Sequence, residues 1–135
     1  HVHPTLTALA KLGIRMAVVS DAPKLQVWMR IMALSIWHYF DTVVTIDDTG
    51  ERKPSPKPFK LALERLGVGA SETIMIGDWV DRDIVGAKGV GITAVFARYG
   101  DEFNTPAETI ADYEVQDIAE LVDIVNRLNT PAVKN

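Results

Sequence analysis

The chain has 135 residues, enough for one domain with a buried core, and 47% of them are hydrophobic. Its net charge of −4 offers no basic surface to nucleic acid or anionic membranes, and the absence of cysteine excludes disulfides and thiolate metal sites. No apolar run approaches the roughly 20 residues that cross a bilayer. This composition is typical of a soluble globular domain and compatible with a reducing compartment, so we expect a cytoplasmic location.

Helical and strand patterns alternate along the chain, which favours an α/β fold with a parallel sheet. The strand patterns are short apolar runs, as expected for buried parallel strands, and the helical patterns repeat apolar residues at helical spacing. In chain order we predict helix 4–13, strand 16–20, helix 24–34, strand 40–46, a polar loop 47–58, helix 59–66, strand 73–76, helix 81–88, strand 92–96 and helix 118–128. These elements predict one domain over residues 1–129, followed by a flexible tail, 130–135.

Polar side chains lie where the predicted strands end. Ser20 ends the first strand, Asp78 follows the third, and Lys53 lies in the loop between them. Open parallel sheets bind ligands at the carboxyl ends of their strands. A hydroxyl with nearby backbone N–H groups binds phosphate oxygens, an ammonium neutralises charge in phosphoryl transfer, and a carboxylate holds Mg²⁺. The sequence therefore predicts a site for a phosphate group and a divalent cation.

Three of these segments resemble, in order and spacing, motifs of the haloacid dehalogenase-like superfamily. The segment MAVVS (16–20) is similar to its second motif, an apolar strand ending in Ser or Thr. The segment KPSPKPF (53–59) is similar to the third motif, and GDWVDRD (77–83), which follows a strand, is similar to the fourth, GDxxxxD. The resemblance covers nearly the whole chain and implies a three-layer, Rossmann-like parallel sheet with flanking helices.

The resemblance also implies a role for each matched residue. Ser20 and the backbone N–H of Asp21 would bind the substrate phosphoryl group. Lys53 would steady the nucleophile and the phosphoryl charge, which makes it both a catalytic and a phosphate-binding residue. Asp78 would bind Mg²⁺. Asp83, one helical turn further on, would act as a catalytic residue that positions the metal or its waters.

One part of the family pattern has no counterpart here. The nucleophile of the family is an Asp in an amino-terminal DxDxT/V motif, and no carboxylate precedes Ser20. The strand of that motif is central in the family's sheet, and neither it nor the cap that follows it is present. We therefore expect part of a Mg²⁺-dependent phosphohydrolase that acts on a small phosphate monoester through an aspartyl-phosphate. Without the missing amino-terminal segment of the same protein, the chain should be inactive.

The expected partners are thus that segment and a small phosphorylated metabolite, with no nucleic acid and no membrane.

Taken singly, each site residue has a plainer interpretation. Ser20 fits a turn, Lys53 a solvated loop charge, and Asp78 a helix N-cap. Only their joint occurrence favours a site. Trp79 either lines the entrance or packs on its loop. Two other functions stay open: a non-catalytic regulatory module that binds phosphate and metal, and a halide-removing hydrolase of the same family.

Overall fold

The structure is a computed structural model that describes residues 1–129. Its helices are α1 (Val2–Lys11), α2 (Lys24–Ala33), α3 (Ile46–Thr49), α4 (Pro56–Leu66), α5 (Val85–Gly89) and α6 (Glu120–Asn129). Its strands are β1 (Ala17–Val19), β2 (Thr42–Val44), β3 (Ile74–Gly77), β4 (Thr93–Ala97) and β5 (Tyr113–Val115). The predicted flexible tail, 130–135, lies outside the described residues.

The strands form two parallel sheets, which confirms the predicted α/β class. One sheet joins β1 to β2, with Val18 opposite Val43, and the other has the order β3-β4-β5. Because every pairing is parallel, the carboxyl ends of all strands within a sheet lie at the same edge. The residues that follow β1 and those that follow β3 thus each lie at the carboxyl-end edge of their own sheet.

Helices cover both faces of the three-stranded sheet, which gives the predicted three layers. Alternate residues of β4 point to opposite faces, and Ala94, Val95, Phe96 and Ala97 are all buried, so this part of the strand is apolar without alternation. On one face, Val95 packs with buried residues of α1 and α6: Leu9, Leu121, Ile124 and Val125. On the other, Ala94 and Phe96 pack with Phe59 of α4 and with Ile84, Ala87 and Ile92.

An apolar cleft of about 730 Å³ is lined by both β1 and β3. Ala17 and Val19 line it from β1, and Ile74, Met75 and Ile76 line it from β3. Within residues 1–129, β1 pairs only with β2, and β3 pairs only with β4. Each of these two strands thus has one edge whose backbone N–H and C=O groups lack a strand partner, an arrangement that is costly when buried.

Several element boundaries differ from those predicted. The helix predicted from Phe59 begins at Pro56, because Ser55 caps it by accepting a hydrogen bond from the backbone N–H of Lys57 and proline suits a first helical turn. Residues 46–49, assigned to strand and loop, form a short helix whose capping box joins Thr45 and Asp48. The predicted helix 81–88 opens with a π-helical turn over Val80–Ile84.

Strand β5 was not predicted. It has only three residues, and its central Glu114 is exposed between polar flanking segments, so no apolar run marks it. It is defined by backbone pairing with β4, which joins Tyr113 to Val95 and Val115 to Ala97. None of the helices within residues 1–129 is both long and apolar enough to cross a membrane.

Candidate active site

Ser20 lies immediately after β1 and is half-buried. Its backbone N–H donates to the carbonyl of Val44, which extends the β1–β2 pairing by one residue. Its Oγ accepts a hydrogen bond from the backbone N–H of Ala22 at 3.2 Å. The turn interpretation is therefore correct as far as it goes. The hydroxyl proton is still available to donate to a ligand oxygen, because Oγ is the acceptor in that bond.

Lys53 is not a solvated loop charge. Its Nζ donates to Asp83 Oδ1 at 2.6 Å and to the carbonyl of Val19 at 3.2 Å. The side chains of Lys53 and Asp83 are only 11% and 8% exposed. Lys53 and Asp83, which are 30 residues apart in the chain, thus form a buried ion pair beside the end of β1. The pair joins the loop before α4 to the segment that follows β3. Such a pair repays its desolvation only when its geometry and remaining hydrogen bonds are good.

The second carboxylate oxygen of Asp83 is bound within its own segment. Oδ2 accepts a hydrogen bond from the backbone N–H of Trp79 at 3.1 Å. Gly77, the last residue of β3, allows this approach, because a Cβ built there would lie 2.4 Å from Asp83 Oδ2 and 2.5 Å from its Cβ. The GD pair of the motif therefore has a steric reason: glycine leaves room for the later aspartate to fold back.

The Asp21 side chain has a role that the sequence did not indicate. Its Oδ1 accepts the backbone N–H of Lys53 at 2.8 Å, and its Oδ2 accepts from Arg82 Nη1 at 3.1 Å. The Arg82 guanidinium lies 3.9 Å from the ring centre of Trp79, a cation–π contact. Trp79 in turn stacks on Phe103 at 4.7 Å between ring centres. Trp79 thus packs between Arg82 and Phe103.

Asp78 is more exposed than Asp83, although its carboxyl is partly desolvated. Partial burial raises the pKa of its carboxyl, the nearby Asp83 carboxylate raises it further, and Glu102 adds to the same effect. The positive charge of Lys53 opposes these effects without cancelling them. Asp78 is thus an accessible carboxylate whose negative charge is disfavoured by its neighbours, and a cation bound beside it would relieve that repulsion.

The site residues fit Mg²⁺ in a limited way. Within residues 1–129, no group of three or more His, Cys, Asp or Glu side chains converges as a metal site. Mg²⁺ often keeps several waters and takes only one or two protein carboxylates, so it does not need such a group. Asp78 suits a direct ligand. Asp83, with both oxygens already bonded, suits a residue that orients the metal's waters.

The structure thus brings four of the five predicted residues together through direct contacts or charge: Asp21, Lys53, Asp78 and Asp83. Ser20 is adjacent to Asp21 in the chain. Arg82 was missed as a neighbour of the site, and its position inside the GDxxxxD segment was the available signal. No structural feature among the described residues assigns the nucleophile.

Known proteins share this arrangement of sequence and fold. The haloacid dehalogenase-like hydrolase family matches residues 1–97, and the chain belongs to that family. This confirms the resemblance on which the site residues were chosen. The structure also agrees with solved members. A HAD phosphatase from Thermococcus onnurineus superposes with a TM-score of 0.82 at 38% identity, over 90% of this chain and 55% of that one.

Several similar proteins of named activity are phosphatases. A glyceraldehyde 3-phosphate phosphatase of Methanocaldococcus jannaschii is 35% identical over 128 residues, which are 95% of this chain and 56% of the relative. A pyrophosphatase PpaX of Bacillus velezensis is 36% identical over 124 residues, which are 91% of this chain and 57% of the relative. The chain therefore spans just over half the length of these relatives.

Proposed function

We propose that the chain is part of a Mg²⁺-dependent phosphohydrolase that cleaves a small phosphate monoester through an aspartyl-phosphate intermediate. The observation that carries the proposal is the buried contact between Lys53 and Asp83. It joins two of the three motif segments beside the end of β1, where the third segment places Ser20. The acidic pair Asp78 and Asp83 favours this activity over the removal of halide, which needs no metal.

Each residue has a distinct task in this proposal. The Ser20 hydroxyl and the backbone N–H of Asp21 donate to oxygens of the phosphoryl group. The Lys53 ammonium neutralises charge that develops on that group during transfer. Asp78 would hold Mg²⁺, which would supply charge neutralisation for the phosphoryl oxygens. Asp83 keeps Lys53 in place and would orient waters around the metal.

We further propose that the nucleophile comes from an amino-terminal segment of the same protein that carries DxDxT/V. The cleft between β1 and β3 supports this, since each strand is apolar, pairs in parallel with one neighbour and, within residues 1–129, has its other edge unpaired. A parallel strand inserted there would pair with both edges and end at the same edge as Ser20 and Asp78. Residues 1–129 would then be the larger part of a core domain that is inactive until this strand is supplied.

The substrate proposal is a small phosphorylated metabolite. Its support is the activity of the relatives, glyceraldehyde 3-phosphate phosphatase and pyrophosphatase, whose substrates are small phosphorylated molecules. The net charge of −4 gives no support to nucleic acid or a membrane as partner. We retain a cytoplasmic location as part of the same proposal.

The test adds the missing strand as a synthetic peptide. The peptide has an apolar run of about five residues followed by DxDxT, long enough for a strand of ordinary length. Hydrolysis of p-nitrophenyl phosphate is measured with the chain alone, the peptide alone and the two together, with and without Mg²⁺. We expect hydrolysis only from the combination and only with Mg²⁺. The matched control is the same peptide with its first Asp replaced by Asn.

The control peptide should bind, by a shift in the thermal melting of the chain, and give no hydrolysis. Hydrolysis that is equal with both peptides would contradict an aspartyl nucleophile. Binding of both peptides with no hydrolysis by either, under any metal condition, would contradict the phosphatase and favour the non-catalytic module. Failure of both peptides to bind would contradict the strand assigned to the cleft.

A further inference from the structure

The carboxylate of Asp21 connects two other segments of the candidate active site. One oxygen accepts the backbone N–H of Lys53, and the other accepts Nη1 of Arg82. These partners lie 32 and 61 residues away in the chain, so neither contact is a consequence of local turn geometry. The side chain is only 17% exposed, which places both bonds largely out of water. Hydrogen bonds to a charged acceptor are the stronger ones in such a setting.

Asp21 also belongs to a closed circuit of contacts. Lys53 Nζ bonds Asp83, and Asp83 accepts the backbone N–H of Trp79. The Trp79 ring lies against the guanidinium of Arg82, and Arg82 returns to Asp21. The circuit thus links the segment after β1, the loop that contains Lys53 and the segment after β3. Asp21 is the member that holds Lys53 by its backbone.

Lys53 needs such a constraint at its backbone. A lysine side chain has four flexible carbon–carbon bonds, so its ammonium is placed accurately only when the main chain is also fixed. Here Asp21 fixes the backbone N–H, while Val19 and Asp83 fix Nζ. The residue that follows, Pro54, has no N–H to contribute.

We infer that Asp21 is a positioning residue whose carboxylate sets the location of the Lys53 ammonium. In the proposed function Asp21 contributes only its backbone N–H, so this is a second and separate role for the same residue. The consequence for catalysis rests on the proposed function, because it requires that Lys53 neutralise the phosphoryl group. The positioning itself does not, and can be measured without turnover.

The first measurement is the hydrogen-exchange rate of the Lys53 backbone amide, which is monitored by NMR on the chain. Asp21→Ala should speed this exchange about tenfold, the value for loss of a hydrogen bond worth about 1.4 kcal/mol. Asp21→Asn should keep the rate within about threefold, because the side-chain amide oxygen still accepts the N–H. Arg82→Met should also leave it unchanged, since it removes only the other contact of the carboxylate.

The matched control is Asp47→Ala. Asp47 is exposed, and its Oδ2 accepts the backbone N–H of Lys24 at 2.6 Å, the same kind of contact away from the site. Asp47→Ala should speed exchange of the Lys24 backbone amide and leave exchange of the Lys53 backbone amide unchanged. Unchanged exchange at Lys53 in Asp21→Ala would overturn the inference. If that variant does not fold, Asp21→Glu replaces it, with the same speeding expected because the carboxylate is displaced by one methylene.

The second measurement uses the peptide-complemented enzyme. Asp21→Ala should lower kcat/KM about tenfold through kcat, and Asp21→Asn should restore it to within about threefold of the unsubstituted chain, following the same hydrogen bond. A loss of kcat/KM that Asn does not rescue would overturn a positioning role through Lys53. If Lys53 exchange responds as expected but no variant shows hydrolysis, the proposed function fails while the positioning of Lys53 stands.

Discussion

Replacing Lys53 with methionine is expected to lower the free energy of unfolding by about 3 kcal/mol. The variant keeps the aliphatic stem but leaves the carboxylate of Asp83 buried without its cation. That carboxylate is 8% exposed, so water replaces the lost ammonium only in part. Breaking one side of a buried ion pair is among the more destabilising changes that a single substitution makes. Urea denaturation at neutral pH, followed by circular dichroism, measures the change.

The interpretation depends on two further variants. Lys53→Met combined with Asp83→Asn removes both charges and keeps an acceptor for the Trp79 N–H. It should recover at least about 1 kcal/mol of the loss, a coupling expected for residues in direct contact. Lys57→Met is the matched control, because Lys57 pairs with Glu51 at 3.1 Å but both side chains are exposed. It should change stability by less than about 0.5 kcal/mol. Equal losses for Lys53→Met and Lys57→Met would show that the Lys53–Asp83 pair is solvated.

The second large effect is expected from Gly77→Ala, at about 2–3 kcal/mol of lost stability. The added methyl would overlap the Cβ, Cγ and Oδ2 of Asp83, all within 2.5 Å of the ideal Cβ position. Relief requires that Asp83 move away from β3, which separates it from Lys53. The variant should therefore also lose the NMR signal of an ordered Lys53 ammonium.

Gly69→Ala is the control for this substitution. Gly69 has a negative φ, and nothing lies within 4 Å of a Cβ built there. Its replacement should change stability by less than about 0.5 kcal/mol. A Gly77→Ala protein as stable as Gly69→Ala, with Lys53 still ordered, would show that Asp83 does not pack against Gly77 in solution.

The fold was predictable from the sequence where local pattern and burial agree. The apolar runs that end at Ser20 and Gly77 each form a parallel strand, as predicted, although the residues of both strands are only partly buried. Gly67 ends α4 in the left-handed conformation that favours glycine. Prediction failed where tertiary contacts decide the element. Strand β5 exists through pairing with β4, and the early start of α4 follows from a serine cap rather than from apolar spacing.

The site was predictable as a set of residues and not as a set of contacts. The motif segments marked Lys53 and Asp83, but nothing local indicates that a lysine before a proline is buried against a carboxylate 30 residues later. The same applies to the carboxylate of Asp21 and its bond to Arg82, which spans 61 residues. Sequence spacing identifies which chemical groups reach one edge of a sheet. Which of them bond to each other depends on packing.

Acidification should weaken the binding of Mg²⁺ at this site. The metal binds the ionised carboxylate of Asp78, and protons compete for it. Because burial and the Asp83 charge raise the pKa of Asp78, the loss of affinity on lowering the pH should begin above the range of an ordinary aspartic acid. Asp78→Asn should remove both the binding and its pH dependence.

We propose that Ser20, Lys53 and Asp78 form one site for phosphate and Mg²⁺. An NMR titration of the chain with inorganic phosphate and Mg²⁺, read from the backbone amides, tests this most directly. We predict that the shifts centre on residues 20–22, 53 and 77–79, with the Mg²⁺ response absent in Asp78→Asn. Shifts that centre elsewhere, no response to either ion, or an unchanged Mg²⁺ response in Asp78→Asn would contradict the claim.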